Sequence, residues 1–522
     1  MRRALVAVLL VVLAACTRVG QETHGTGTLV VALRQEPIAL NPLLLEGLPA
    51  YTVSELFYSY LTNYDANGNV VPDLATYTVG PGNQTITYHL RHGVTWQDGA
   101  PLTSRDVVFS YHAVMNPANN LEQRYGFDRV ASVTAPDPYT VVVRTKIPFS
   151  PIIGWFFGGD NNYAILPAHL LASEKNLNSV GFNAAPIGSG PYRLERWDHG
   201  SRLTLRANPT YYAGKPAIDQ LVLPFIADSA TTINELHSGE VDAAFVLDAS
   251  RIAELRAIPN HRVVVTPVPW FYGLAFNLED PIVSDRTVRE AFALAIDRRS
   301  LTRKISQGVY DADTGMRGLF TWAFDPRADT IAFDPARAKA LLTQDGWIPG
   351  PDGIRVKNGH RLRIELILPT GSDMTTRFAT AIAAGERVVG IDVPMRRYDR
   401  TQYISRDGPE MQGHYQVSLY DYQASQDPDA SWLLSCDQKA PSGFDIARYC
   451  SAKVDALLRQ GAATFDRAQR IAAYHAVQQQ IAYDLPYFFI CQISEVDVIP
   501  SNLRGYARPL LSPFASVASW KL

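Results

Sequence analysis

The chain has 522 residues, 47% apolar and 19% charged, and 48 Lys and Arg against 51 Asp and Glu leave a net charge of −3. With no basic block, that balance argues against a nucleic-acid binder. The length exceeds one hydrophobic core, so two or more lobes are expected.

The N-terminus comes first. Arg2 and Arg3 precede an apolar run, Ala4 to Ala15, of twelve residues. A spanning helix needs about 20, so residues 1–15 read as a secretory signal peptide. Leu13-Ala14-Ala15-Cys16 resembles a bacterial lipobox, which implies cleavage before Cys16 and lipidation of its thiol. Each buried acyl CH₂ contributes about 0.8 kcal/mol, and stable anchoring takes more than one chain. The alternative is an ordinary secretory signal with an incidental cysteine. Residues 16–27 then form the lipidated end and a polar, flexible leash.

Strands and helices follow in alternation. A strand is expected at Leu29–Leu33, and TITYHLRHGVTW alternates like a hairpin turning near His92-Gly93. Thr103 and Asp106 form a capping box for an amphipathic helix carrying Val107, Val108, Tyr111, Val114 and Met115. Gly239 ends a helix and Val241 opens a strand. Beyond residue 270 come the buried-type strand GLAFNL and a helix capped by Ser284 or Asp285. Next is a helix with Asp334 as cap, Pro335 at its first position and Gly346 past its end. RLRIELILP, residues 374–389 and VGIDVPMRRY read as strand, helix and strand. Mixed elements on both sides of residue 270 predict two α/β lobes.

Several motifs argue against catalysis. In GSGPY, Gly188 and Gly190 read as turn glycines, and their spacing fits neither phosphate-loop pattern. Ser189 sits in no nucleophile elbow. Asp65-Ala-Asn67-Gly68 lacks the later Glu of a calcium loop and reads as a hairpin turn. No C-x-x-C or H-E-x-x-H suggests zinc, and the histidines form no ligand set. Cys436 and Cys450 flank a turn-rich loop and are expected to form a disulfide if the chain is exported, two buried thiols being the other reading. Cys491 reads as a core thiol.

Eight stretches in one order resemble a single family: VTWQDGAPLTSRDVVFS, IGSGPYRLERW, LRANPTYYAGKPAIDQL, LHSGEVDAAFV, FNLEDPIVSDRTVREAFALAIDRRSL, FDPARAKALLTQDGW, DPDASWLLSCDQ and YCSAKVDALL. The chain resembles the family 5 extracellular solute-binding proteins, the oligopeptide, dipeptide and nickel class that serves ABC importers. The resemblance implies a two-lobed α/β periplasmic-binding fold of the class II, cluster C type. Lobe I would span 28–268, rejoined by 490–522, and lobe II 269–489, with hinge strands near 266–271 and 487–493. It implies a monomeric receptor without catalysis or cofactor, outside the cell membrane in the periplasm or on the cell surface. Its partners would be a small ligand, the permease subunits, and the membrane through Cys16.

The same resemblance points to ligand residues. Glu46-Gly47-Leu48-Pro49 matches a loop whose backbone pairs with an extended peptide, a mode that ignores side-chain identity. The family's peptide binders place an aspartate three residues before the position of Asp427, where it meets the ligand ammonium. Here that residue is Ala424, and Asp421 lies three further upstream, so either a longer loop lets Asp421 reach the ligand ammonium or the anchor is gone. Asp427 and Asp429 read as helix caps, and Trp270, Tyr272 and Tyr420 as cleft walls, with Phe271 in the core. An oligopeptide or dipeptide is the expected ligand. A nickel chelate, an opine or an oligosaccharide would suit the same fold, and a hydrolase or chaperone is the alternative of another class.

Overall fold

The computed structural model describes residues 27–522 apart from 45–47, 66, 122–123, 161–162, 313–314, 330 and 509–511; of 48–51 it describes the backbone. Cys16, the leash up to residue 26, Glu46 and Gly47 therefore lie outside the described residues.

A ten-stranded mixed sheet runs through the molecule. At its centre two long strands, His261–Phe276 and Tyr487–Pro500, pair antiparallel along most of their length. Toward the early strands, Tyr487–Pro500 meets Ala243–Leu247, and beyond it come Thr28–Ala32, Gln220–Pro224, Arg202–Ala207 and Tyr192–Asp198. On the other side His261–Phe276 meets Val417–Gln423, then Leu366–Pro369 and Met395–Tyr398. The ladder of the two long strands breaks between Pro267 and Phe271. Pro267 and Pro269 cannot donate to it, because proline has no N–H. At this break the strand passes from one hydrophobic core to others. Val264 packs on a core built from residues 29–245 and 499–520 with Ala462, whereas Val268 and Phe271 enter two cores built from residues 268–493.

Local chemistry explains many boundaries. The capping box of Thr103 and Asp106 opens the helix Ser104–Met115. Asp285 accepts from the Thr287 N–H, and Asp334 from the Arg337 N–H, to start Arg286–Leu294 and Pro335–Gln344. Gly239 ends Ser229–Ser238 in the left-handed region, although the next strand begins at Ala243 rather than Val241. The expected hairpin at His92-Gly93 does not form. Thr85–Leu90 pairs instead with Ala75–Val79 and Thr140–Thr145, partners that no local pattern names. RLRIELILP is not one strand: Arg361 ends the short strand His360–Arg361 and Leu366–Pro369 forms another. The Asp65 turn joins Thr62–Tyr64 to Val70–Pro72 as expected.

Gly188 acts differently from the turn reading. A Cβ there would lie 1.8 Å from the Phe57 carbonyl oxygen, so the loop needs glycine for close approach to the end of helix Leu48–Phe57. That helix starts at Leu48, so Leu48 and Pro49 are its first turn rather than part of an open loop. Cys436 and Cys450 are joined by a disulfide. Cys491 is buried on Tyr487–Pro500, its thiol pushed up to about 12 by burial.

Candidate functional site

Side chains alternate across the central strands, so adjacent residues face opposite sides. Tyr272 stands opposite Asp421 in register, and Trp270, two residues earlier, shares their face. The Trp270 indole N–H donates to an Asp421 oxygen at 3.2 Å, and the half-exposed Arg400 lies 3.5 Å from the other. The Tyr272 hydroxyl is 3.3 Å from the Thr375 hydroxyl, and its ring packs on Phe378. Burial, then the Asp421 charge, pushes the Tyr272 phenol above its ordinary range. The structure thus brings Trp270, Tyr272 and Asp421 together.

It does not bring Tyr420 to them. As the neighbour of Asp421, Tyr420 faces the other side, only 3% exposed, edge-on to Phe271 and Tyr487. Its hydroxyl has no partner among the described residues. Ala424 is buried too, and its N–H donates to the Pro269 carbonyl at 2.7 Å. Asp429 accepts from the Ser431 N–H at 3.2 Å and from Tyr125, but it precedes Ala430, which holds the N-cap position of helix Ser431–Leu434, so it does not cap that helix. Asp427 does not cap that helix directly. It accepts the Asp429 N–H at 3.0 Å and forms a buried two-pronged ion pair with Arg470.

On the Phe271 side a cavity of about 430 Å³ opens between the two ends of the molecule. Asn67, Gly68 and Arg508 line it from one end, Thr266, Pro267, Pro269 and Gln492 from the hinge, and Arg317, Thr321 and Trp322 from the other end. The size suits a small ligand. Next to it the two ends touch. Buried Asp160 accepts the N–H groups of Gln426 and Asp427 and the Tyr64 hydroxyl, and Arg467 reaches Asn69 and the Asn67 carbonyl. Burial pushes the Asp160 carboxyl up to about 7, and the neighbouring Asp427 adds to the rise. Arg317, Thr321 and Trp322 were not singled out by the sequence. A surface arginine inside GMRGLFTW carries no local signal, and only the fold shows what it faces.

With this geometry in place, the comparisons are specific. The model of the bacterial extracellular solute-binding proteins, family 5 (middle), matches residues 69–443, and the chain belongs to that family. Its members are substrate-binding proteins, not enzymes. Protein XP55 of Streptomyces lividans is 29% identical over 492 residues, 94% of this chain and 88% of the relative. The oligopeptide-binding protein AppA of Bacillus subtilis is 25% identical over 510 residues, 96% and 93% of the two chains. The structure of AppA with a nonapeptide superposes with a TM-score of 0.78 at 24% identity, covering 95% of this chain and 99% of that one. AgaA of A. tumefaciens R10, solved with agropinic acid, gives a TM-score of 0.75 at 25% identity, covering 95% and 99%. Among the described residues no helix is long and apolar enough to cross a membrane.

Proposed function

We propose that this chain is the lipid-anchored receptor of an ABC importer, which captures an oligopeptide between its lobes and hands it to the permease. Lobe I comprises 28–268 and 490–522, lobe II 269–489, and the paired long strands are the hinge about which they close. The observation that carries this reading is the cavity at the break in those strands, walled from both lobes and of ligand size. The name of AppA and its nonapeptide favour a peptide cargo. Trp270, Tyr272 and Asp421 form the opposite wall of the hinge, and Glu46, Gly47 and Leu48 are assigned to backbone pairing with an extended cargo on the strength of their sequence pattern alone. Cys16 carries the lipid, which keeps a monomeric receptor beside its transporter.

The test is native mass spectrometry of the chain purified without added ligand, followed by release and sequencing of what is bound. A ladder of peptide masses is expected. A single non-peptide mass sinks the peptide assignment and leaves the receptor role. Cys16→Ser releases the protein from membranes if the anchor is right.

A further inference from the structure

We propose that the cargo is recognised through a carboxylate, gripped by Arg317 in the interlobe cavity with the Trp322 ring as a flat wall; this deepens the reading above and rests on the cargo lying between the lobes. Among the described residues the lining holds two guanidinium groups and no carboxylate. Arg508 is already committed, its side chain 1% exposed and paired with Asp497 and Glu495. Arg317 is exposed and has no acidic partner among the described residues. Its guanidinium carbon lies over the Phe324 ring, 5.1 Å from the centroid, a contact that uses none of its N–H groups and leaves them for a ligand. Behind the Trp322 ring, Arg467 at 4.1 Å adds a second positive charge.

The arginine is also rigidly placed. Gly318 presses against the hinge strand, where a Cβ would come within 2.8 Å of the Trp270 carbonyl oxygen and the Phe271 Cβ. Thr321 is held at φ 40°, ψ −117°, a region costly for a β-branched residue, and its hydroxyl donates to the Gln426 carbonyl at 2.8 Å. Strain kept beside a cavity marks a position fixed by something other than folding economy. An ammonium anchor has no counterpart here. Asp421 lies on the other face and already accepts the Trp270 N–H, and Ala424 has no charge. A planar fork of N–H donors in a cavity without acids suits a planar pair of carboxylate oxygens. A peptide C-terminus and an opine-type conjugate both supply one.

The experiment titrates the purified mature chain with trialanine, trialanine amide, N-acetyl-trialanine and agropinic acid, by calorimetry. Losing a charge-assisted contact is expected to make the amide bind roughly 10- to 100-fold more weakly than the free acid, while N-acetylation changes affinity less than about 3-fold. Arg317→Gln should erase the acid–amide difference without changing the unfolding midpoint, and Arg317→Lys should restore part of it. Binding of agropinic acid alone, lost in Arg317→Gln, upholds the carboxylate grip and ends the peptide reading. Equal binding of acid and amide overturns the proposal. So do undiminished affinity in Arg317→Gln, no binding of any carboxylate probe, or a co-purified cargo without a carboxylate.

Discussion

On one face of the central sheet Trp270, Asp421, Tyr272 and Thr375 satisfy one another; on the other, across the thickness of a single strand, Arg317 faces a cavity in which no described residue supplies an acid to meet it. The first arrangement is how a protein stabilises its own polar groups, since each buried donor finds an acceptor. The second leaves an unpaired cation in open space and, at Thr321, backbone strain that costs folding stability, an arrangement that makes sense if a partner arrives. Residue types alone would have ranked the first face higher, because aspartate, tryptophan and tyrosine are familiar ligand residues. The difference lies in which polar groups are already spent.

The largest expected effect is on the support beneath the second face. Arg470 is buried against Asp427, and its ring neighbours include Trp322 at 5.2 Å. Arg470→Ala leaves a buried aspartate unpaired and should cost about 3–5 kcal/mol in urea unfolding. Asp427 sits directly below the Asp160 contact between the two ends, so the same variant should also loosen the cavity and weaken cargo binding. A loss under about 1 kcal/mol would mean that water replaces the guanidinium and that this face is less dry than its packing indicates.

Next comes Gly318→Ala. The added methyl meets the Trp270 carbonyl and must push the short helix Arg317–Phe320 off the strand, for about 1–3 kcal/mol of stability. The comparison sharpens if affinity falls further than stability does, because the displaced helix carries Arg317.

Much of the frame was legible from local chemistry. Caps at Thr103, Asp285 and Asp334 satisfy orphan helix N–H groups within three residues, so the sequence states them directly. The parity of Tyr420 and Asp421 was legible as well, since neighbours on a strand cannot share a face, although residue type invited grouping them. The pairing of Tyr272 with Asp421 needed a register across 149 positions of chain, and the false hairpin at His92 failed for the same reason: strand partners are chosen by distant surfaces. Arg317 was invisible because exposed arginines are common and only the cavity makes this one unusual.

The first face rests on helix Asp373–Val389, which carries Thr375 beneath Tyr272 and also Glu386, fully buried with neither carboxylate oxygen bonded to any described residue. Burial holds the Glu386 carboxyl well above its ordinary range. The folded state therefore keeps a proton that the unfolded chain releases above about pH 4.5. Its favourable contribution is complete below that pH and falls, by up to about 1.4 kcal/mol per pH unit, as pH rises toward the folded value. Glu386→Gln removes this slope. Unfolding midpoints from pH 5 to 8 should fall less steeply in the variant than in the parent, and parallel curves would show that water reaches the carboxylate.

The smallest effects divide the two faces most cleanly. Trp270→Phe removes the donor of the 3.2 Å hydrogen bond to Asp421, an acid only 11% exposed, and should cost about 1–2 kcal/mol. Tyr420→Phe removes a hydroxyl that is buried without a partner among the described residues, while the ring keeps its edge contacts with Phe271 and Tyr487. Losing an unpaired buried polar group relieves its desolvation cost, so this change should be neutral or stabilise by up to about 1 kcal/mol. Both substitutions remove a polar group from a partly or fully buried aromatic on the same pair of strands, but Trp270→Phe also trims the indole to a single ring, so its cost adds lost packing to the lost hydrogen bond. If Tyr420→Phe proves as costly as Trp270→Phe, the hydroxyl has a partner in solution. Because the ring already faces the Phe271 side, on which the cavity opens, Tyr420 would then return as a candidate wall for the cargo beside Arg317.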